Sequence, residues 1–146
     1  MNVDVLTEVD IARPREEVAA YASDPDRATE WYENIEAARW LSSPPLGRGT
    51  RIAFVARFLG RRLEYTYEVV EHAPGERFVM RTADGPFPME TTYRWEDGPG
   101  GGTRMSLRNR GEPTGFAGLT APLMARAMRR ANQKDLRRLR ELLEGT

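Results

Sequence analysis

Cysteine is absent from the sequence, and histidine occurs only once, as His72. The absence of cysteine excludes disulfides, thiolate metal sites and a cysteine nucleophile. A single histidine without cysteine also argues against a zinc centre. No stretch approaches the roughly 20 apolar residues of a membrane span, and the acidic first residues do not match a signal peptide. We therefore expect a cytoplasmic protein with no metal and no cofactor.

An excess of either charge is also missing, because 22 Lys and Arg residues balance 22 Asp and Glu residues. No global field therefore draws the chain toward nucleic acid or lipid, and we expect neither nucleic-acid binding nor membrane insertion. What the sequence does have is an ordinary globular composition, with 40% hydrophobic residues. Its 146 residues fit one domain spanning 1–146 and allow a sizeable core.

The first three quarters of the chain consist mainly of short segments in which apolar and polar residues alternate. In the first segment, Val3, Val5, Thr7, Val9 and Ile11 form one face, and Asp4, Glu8 and Asp10 form the other. This alternation is typical of a half-buried strand. Similar segments recur up to residue 109, mostly separated by turns rich in glycine and proline. We count about seven strands and predict a largely antiparallel sheet.

Helices are predicted at two places. Two short ones follow the first strand, in ARPREEVAAYA and in SDPDRATEWY, where Asp24 can cap the second and Pro25 can open it. From Pro113 onward, strong helix formers dominate, with Met124, Met128 and a run of leucines at helical spacing. Pro122 is expected to kink this long helix or mark its true start.

This order of elements resembles the helix-grip fold of the START/Bet v I-like (SRPBCC) superfamily, and within it the polyketide cyclase/dehydrase-like group. The resemblance is carried by ARPREEVAAYASDPDRATEW, EYTYEVVEHAPGERFVMRT, TTYRWEDGPGGGTRMSL and RRANQKDLRRLRELLE. It implies an α+β fold in which a curved antiparallel sheet of about seven strands wraps around the long C-terminal helix. It also implies an apolar cavity between the sheet and that helix.

The inward-facing phase of the strands supplies the side chains that such a cavity needs. Facing them, the last helix offers Met124 and Met128 beside small alanines. A fully packed core is the alternative interpretation of the same pattern. If a cavity exists, the predicted ligand-binding residues are Trp31, Phe54, Phe58, Tyr65, Tyr67, Met80, Phe87, Met89, Thr91, Tyr93, Met105, Met124 and Met128.

Catalytic residues are not evident. His72 lies in EHAPGE, which is interpreted as a solvated turn, and Glu64, Glu68 and Glu90 fall on the outward phase. Arg39 shares a phase with Ile35 and Ala37 and could face the cavity, although an edge or surface position is the simpler interpretation, and Arg81 should face outward. The sequence therefore leaves open whether the protein is an enzyme, and it does not give the oligomeric state.

Three functions are compatible with the sequence. The first is binding, or transport, of a small hydrophobic or aromatic, polyketide-like molecule in the cavity. The second is a cofactor-free cyclase, aromatase or dehydratase whose hydroxyls on Tyr65, Tyr67 or Tyr93 stabilise an enolate. The third is an interaction protein that uses the basic side chains of the last helix, although a merely solvated helix face is the simpler interpretation. For the Trp31–Tyr32 pair, we expect Trp31 to anchor the second short helix and Tyr32 to lie near the cavity rim.

Overall fold

The computed structural model describes residues 3–112 and 120–145. Its three α-helices are α1 (Arg15–Ser23), α2 (Ala28–Trp31) and α3 (Ala121–Glu144). A single 3₁₀ turn, Pro25–Arg27, precedes α2, and a second, Pro99–Gly101, lies between the last two strands. The strands are β1 (Val3–Ile11), β2 (Ile35–Trp40), β3 (Arg51–Phe58), β4 (Arg61–Ala73), β5 (Arg77–Asp84), β6 (Met89–Asp97) and β7 (Thr103–Gly111).

The seven strands form one antiparallel sheet in the order β1-β7-β6-β5-β4-β3-β2, curved into a half-barrel. The predicted α+β helix-grip fold is therefore confirmed. The alternation read from the sequence corresponds to the two sheet faces: β1 is buried at every odd residue from Val3 to Ile11 and exposed at every even one. Between β3 and β4 the chain turns at Leu59 and Gly60, both with positive φ, which suits a two-residue hairpin.

The long helix α3 lies on the concave side of the sheet, where it contacts β1 and α2. Pro122 occupies the first turn, so it marks the helix start rather than a kink. Of the helix-forming segment predicted from Pro113, the structure shows α3 beginning at Ala121, since Thr120 is its extended N-cap; residues 113–119 lie outside the described part of the chain. Leu136, Leu139 and Leu143 of α3 are buried in the main core.

The two short helices close one end of the half-barrel. Asp24 ends α1, and its Oδ1 accepts a hydrogen bond from the backbone N of Asp26 at 2.9 Å, which starts the next helical turn. Trp31, at the end of α2, is fully buried in the main core. Its ring centroid lies 3.9 Å from that of Tyr32 and 5.9 Å from that of Tyr93. Packing against the core, rather than helix length, therefore holds α2 in place.

One sequence-based interpretation is wrong, and one that stayed open is decided. His72 does not lie in a turn: β4 continues to Ala73, and the His72 ring packs 5.5 Å from that of Phe78 on β5. Of the two positions left open for Arg39, the structure shows the surface one. A bulge between Ile35 and Ala37 shifts the register of β2, so Ala38 packs against the core and Arg39 is exposed.

Arg81 faces outward as expected and pairs with Glu90, with 2.8 Å between Nη2 and Oε2. Within residues 3–112 and 120–145, no helix is long and apolar enough to cross a membrane.

Candidate functional site

A cavity of about 160 Å³ lies between the sheet and α3. It extends from the junction of α1 and α2, at Ala22 and Pro25, to the start of α3, at Met124. Strands β3 to β7 form its opposite wall. Most of the lining is aromatic, aliphatic or methionine side chain, with a few polar groups, which is typical of a small-molecule site.

Eleven of the thirteen residues predicted from the sequence lie on the cavity wall. They are Phe54, Phe58, Tyr65, Tyr67, Met80, Phe87, Met89, Thr91, Tyr93, Met124 and Met128. Eight of them lie on strands that present alternate residues to the concave face, Met124 and Met128 lie on α3, and Phe87 lies between β5 and β6. Their contact with a ligand remains a prediction.

Trp31 and Met105 are not part of this wall. Both are 0% exposed and belong to the main core. Trp31 packs behind Tyr32, which does line the cavity. Met105 lies opposite Val9 on β1 and Trp95 on β6, in a layer of the core that the cavity does not reach. Direct ligand contact by these two residues is not supported in this conformation.

One set of polar groups in the wall is internally satisfied. The Tyr67 hydroxyl and the Thr91 Oγ1 are 2.8 Å apart, and Thr91 Oγ1 donates to Asn109 Oδ1 at 2.7 Å. These residues lie on β4, β6 and β7. Because the chain of hydrogen bonds links three strands across the sheet, it has a structural role whether or not a ligand is bound.

A second set of polar side chains lies where α2 meets α3. Two of its four residues, Asn132 and Asp135, were not predicted from the sequence. Tyr32 and Tyr93 share a hydrogen bond through their hydroxyls. Beside them, Asn132 and Asp135 of α3 are only 5% and 3% exposed and also line the cavity. Asp135 Oδ1 accepts a hydrogen bond from the backbone N of Glu33 at 3.1 Å.

The sequence did contain a signal for the two α3 residues. Asn132 follows Met128 by four residues, and Asp135 precedes Leu139 by four, so both continue the apolar stripe of the helix. A polar residue inside such a stripe is expected to be buried, and a buried polar residue requires an explanation. The many arginines on the other faces of α3 obscured this pattern.

Burial dominates the protonation equilibria at the site. It raises the pKa of Asp135 to about 7, although the hydrogen bond from Glu33 acts in the opposite direction. Burial also raises the pKa of Tyr67 to about 12, and it raises the pKa values of Tyr32, Tyr65 and Tyr93. The tyrosines are therefore neutral hydroxyl groups near pH 7, while Asp135 is balanced between its two protonation states.

Each arginine on the wall lies beside a carboxylate, although Glu90 also pairs with Arg81 and the buried Nε of Arg110 has no hydrogen-bond partner among the described residues. Arg57 Nε bonds Glu36 Oε1, and Arg110 Nη1 lies 3.5 Å from Glu90 Oε1. Within the described part of the chain, no group of three or more His, Cys, Asp or Glu residues could hold a metal ion. The site therefore has the features of an apolar binding cavity with a weakly acidic end.

A curved seven-stranded sheet around a long C-terminal helix, with two short helices after β1, defines the helix-grip class of START/Bet v I-like proteins. The family described as polyketide cyclase / dehydrase and lipid transport matches residues 2–144. The chain belongs to this family.

Solved structures agree with this assignment. Protein TTHA0849 from Thermus thermophilus is 25% identical, with a TM-score of 0.83 and 97% of each chain covered. A START superfamily protein from Mycobacterium smegmatis is 15% identical, with a TM-score of 0.84 and 97% of each chain covered. The ZhuI aromatase/cyclase from Streptomyces sp. R1128 is 17% identical, with a TM-score of 0.77, covering 97% of this chain and 93% of its own. No curated protein matches the sequence.

Proposed function

We propose that the protein binds a compact hydrophobic, aromatic molecule in the cavity between the sheet and α3. The observation that carries this proposal is the cavity itself, because close-packed interiors contain few voids larger than a water molecule. A volume of about 160 Å³ is similar to the roughly 150 Å³ of an engineered apolar cavity that binds benzene. The family, whose description includes polyketide cyclases and lipid transport, is consistent with such a ligand.

A cavity-filling substitution tests this proposal. Ala131 lines the cavity from α3, so Ala131→Met should occupy ligand space. Ala127→Met is the matched control, because Ala127 is half-buried on the same helix but does not line the cavity. We expect naphthalene to bind the wild type and Ala127→Met with similar affinity and to bind Ala131→Met at least tenfold more weakly. Equal binding by all three proteins, or by none, would contradict the proposal.

A second candidate is a cofactor-free cyclase or dehydratase. It is favoured by the position of Asp135, whose carboxyl, with its pKa raised to about 7 by burial, suits proton transfer near neutral pH. Asp135 would remove a proton from the carbon between two carbonyls, and hydroxyls of Tyr65 or Tyr93 would donate to the enolate oxygen. The enolate carbon would bond to a second carbonyl carbon of the same chain. That carbonyl oxygen would take back the proton held by Asp135 and become a hydroxyl. Asp135 would then remove the remaining proton from the same carbon and pass it to the hydroxyl, which leaves as water as the C–O bond breaks and a C=C bond forms.

Turnover of a poly-β-ketone analogue, followed by product chromatography, tests this second function. Asp135→Asn should lower the rate at least 100-fold while naphthalene still binds. Replacement of Tyr65, Tyr67 and Tyr93 together by Phe should also abolish conversion without unfolding the protein. Unchanged turnover in both variants would exclude this mechanism.

A further inference from the structure

The α3 end of the cavity contains a buried amide without a hydrogen bond. Asn132 is 5% exposed, and its Nδ2 has no partner among the residues that the structure describes. A buried donor left unpaired costs about 1–3 kcal/mol, so native proteins rarely keep one without a reason. Because Asn132 lines the cavity, a bound molecule can supply the missing acceptor.

Asp135 supplies an acceptor at the same place. Its Oδ1 is occupied by the backbone N of Glu33, while its Oδ2 accepts no hydrogen bond from the described residues. Asn132 and Asp135 are separated by three positions on α3, a spacing that places side chains about 5–6 Å apart on one helix face. A single oxygen atom between them can therefore accept from Asn132 and donate to Asp135.

We propose that this pair recognises a neutral hydroxyl group on a compact aromatic ring. A phenolic hydroxyl both accepts and donates, so it would satisfy the Asn132 Nδ2 and the Asp135 Oδ2 at once. The ring itself would lie among the aromatic and methionine side chains of the cavity. This inference rests on the proposed binding function and specifies the ligand class for the same site.

The charges at the Asn132–Asp135 end of the cavity disfavour a carboxylate ligand there. Asp135 has no Lys or Arg partner within 4 Å among the described residues. Of the two arginines of the wall, Arg57 pairs with Glu36, and Arg110 lies beside Glu90, although its buried Nε has no partner among the described residues. A ligand carboxylate at this end would place two negative charges in a buried region without compensation, which is strongly unfavourable.

Three probes of similar size test the inference: naphthalene, 2-naphthol and 2-naphthoate, titrated at pH 8. We expect wild-type protein to bind 2-naphthol about tenfold more tightly than naphthalene, the effect of one net hydrogen bond, and to bind 2-naphthoate most weakly. In Asn132→Leu, which keeps only the contact with Asp135, the preference for 2-naphthol over naphthalene should fall by about threefold or more. In Asp135→Asn, which keeps the shape and removes the charge, 2-naphthoate should gain at least tenfold.

The possible results separate recognition of a hydroxyl group, which is the inference, from binding in the cavity, which is the function on which it rests. Equal affinity of the wild type for naphthalene and 2-naphthol would overturn the inference but leave the binding function intact. The same holds for a tenfold preference that persists in Asn132→Leu, or for no gain of 2-naphthoate in Asp135→Asn. Failure of all three probes to bind would instead contradict the binding function. If Asn132→Leu does not fold, the wild-type ratio and Asp135→Asn still decide the question.

Discussion

Asp135 Oδ1 accepts a hydrogen bond from the backbone N of Glu33 at 3.1 Å, which joins the middle of the long helix to the segment just after α2. This contact fixes the position of Tyr32 beside the cavity, because Tyr32 directly precedes Glu33 in the chain. The same carboxyl forms part of the cavity wall. One buried acid therefore contributes both to the closure of the fold and to the lining of the cavity.

Asp135 should make the protein less stable as the pH rises. Burial raises its pKa from the ordinary value of 3.8 to about 7, so the folded state binds one more proton than the unfolded state between these values. The stabilisation is complete below about pH 4 and is lost as the pH rises through 7. A pKa difference of this size corresponds to about 4 kcal/mol.

Asp135→Asn should remove this dependence while preserving the acceptor for Glu33. Urea unfolding at pH 5 and pH 8.5 would measure the effect. We expect the free energy of unfolding of the wild type to fall relative to that of the variant by about 1–4 kcal/mol between the two pH values. Parallel pH profiles of the two proteins would contradict the buried position of this carboxyl.

Trp31 should be essential for stability. It is fully buried between Tyr32, Tyr93 and the main core, so Trp31→Ala should reduce the free energy of unfolding by about 3–5 kcal/mol. Trp40 is a matched control. It is half-buried on the edge strand β2, and its Nε1 donates to Asp26 Oδ1 at 2.9 Å. Chemical denaturation should show a clearly smaller loss for Trp40→Ala, and equal losses would argue against an anchoring role for Trp31.

The hydroxyl group of Thr91 should contribute to the stability of the fold. Thr91→Val keeps the shape but leaves Tyr67 and Asn109 without their shared partner, so we expect a loss of about 1–3 kcal/mol in unfolding free energy. The adjacent Thr92 is also buried but has no side-chain hydrogen bond among the described residues. Thr92→Val should therefore be nearly neutral. Comparable losses in the two variants would show that the three-strand hydrogen-bond chain is not what stabilises this region.

Alternation in the sequence was sufficient to predict the sheet and most of the cavity wall. Residues such as Tyr65, Tyr67 and Met80 follow the two-residue period of strands, which determines the face on which they lie. The clustering of Trp31 with the core was also expected, because a short helix that ends in a large ring needs tertiary contacts.

Two features of the structure, the bulge in β2 and the cavity, could not be predicted from the alternation of apolar and polar residues. The face of Arg39 stayed open because a single bulge residue inverts every later position of a strand, and no local signal in β2 marks the bulge. The cavity is the space that the side chains leave unfilled between the sheet and α3, so its size depends on how closely the strands and the helix approach one another. Asn132 and Asp135 were detectable from their helical spacing, but their meeting with Tyr32 and Tyr93 depends on how α2 docks.

The most direct test of the central claim uses the methionine methyl groups as reporters of ligand position. Met80, Met89, Met124 and Met128 line the cavity, whereas Met105 is fully buried outside it. Titration of methyl-labelled protein with 2-naphthol, followed by ¹³C NMR, should shift the four wall methyls in a saturable manner and leave Met105 nearly unchanged. Shifts of Met105 as large as those of the wall methyls, or no saturable shift at all, would contradict binding in this cavity.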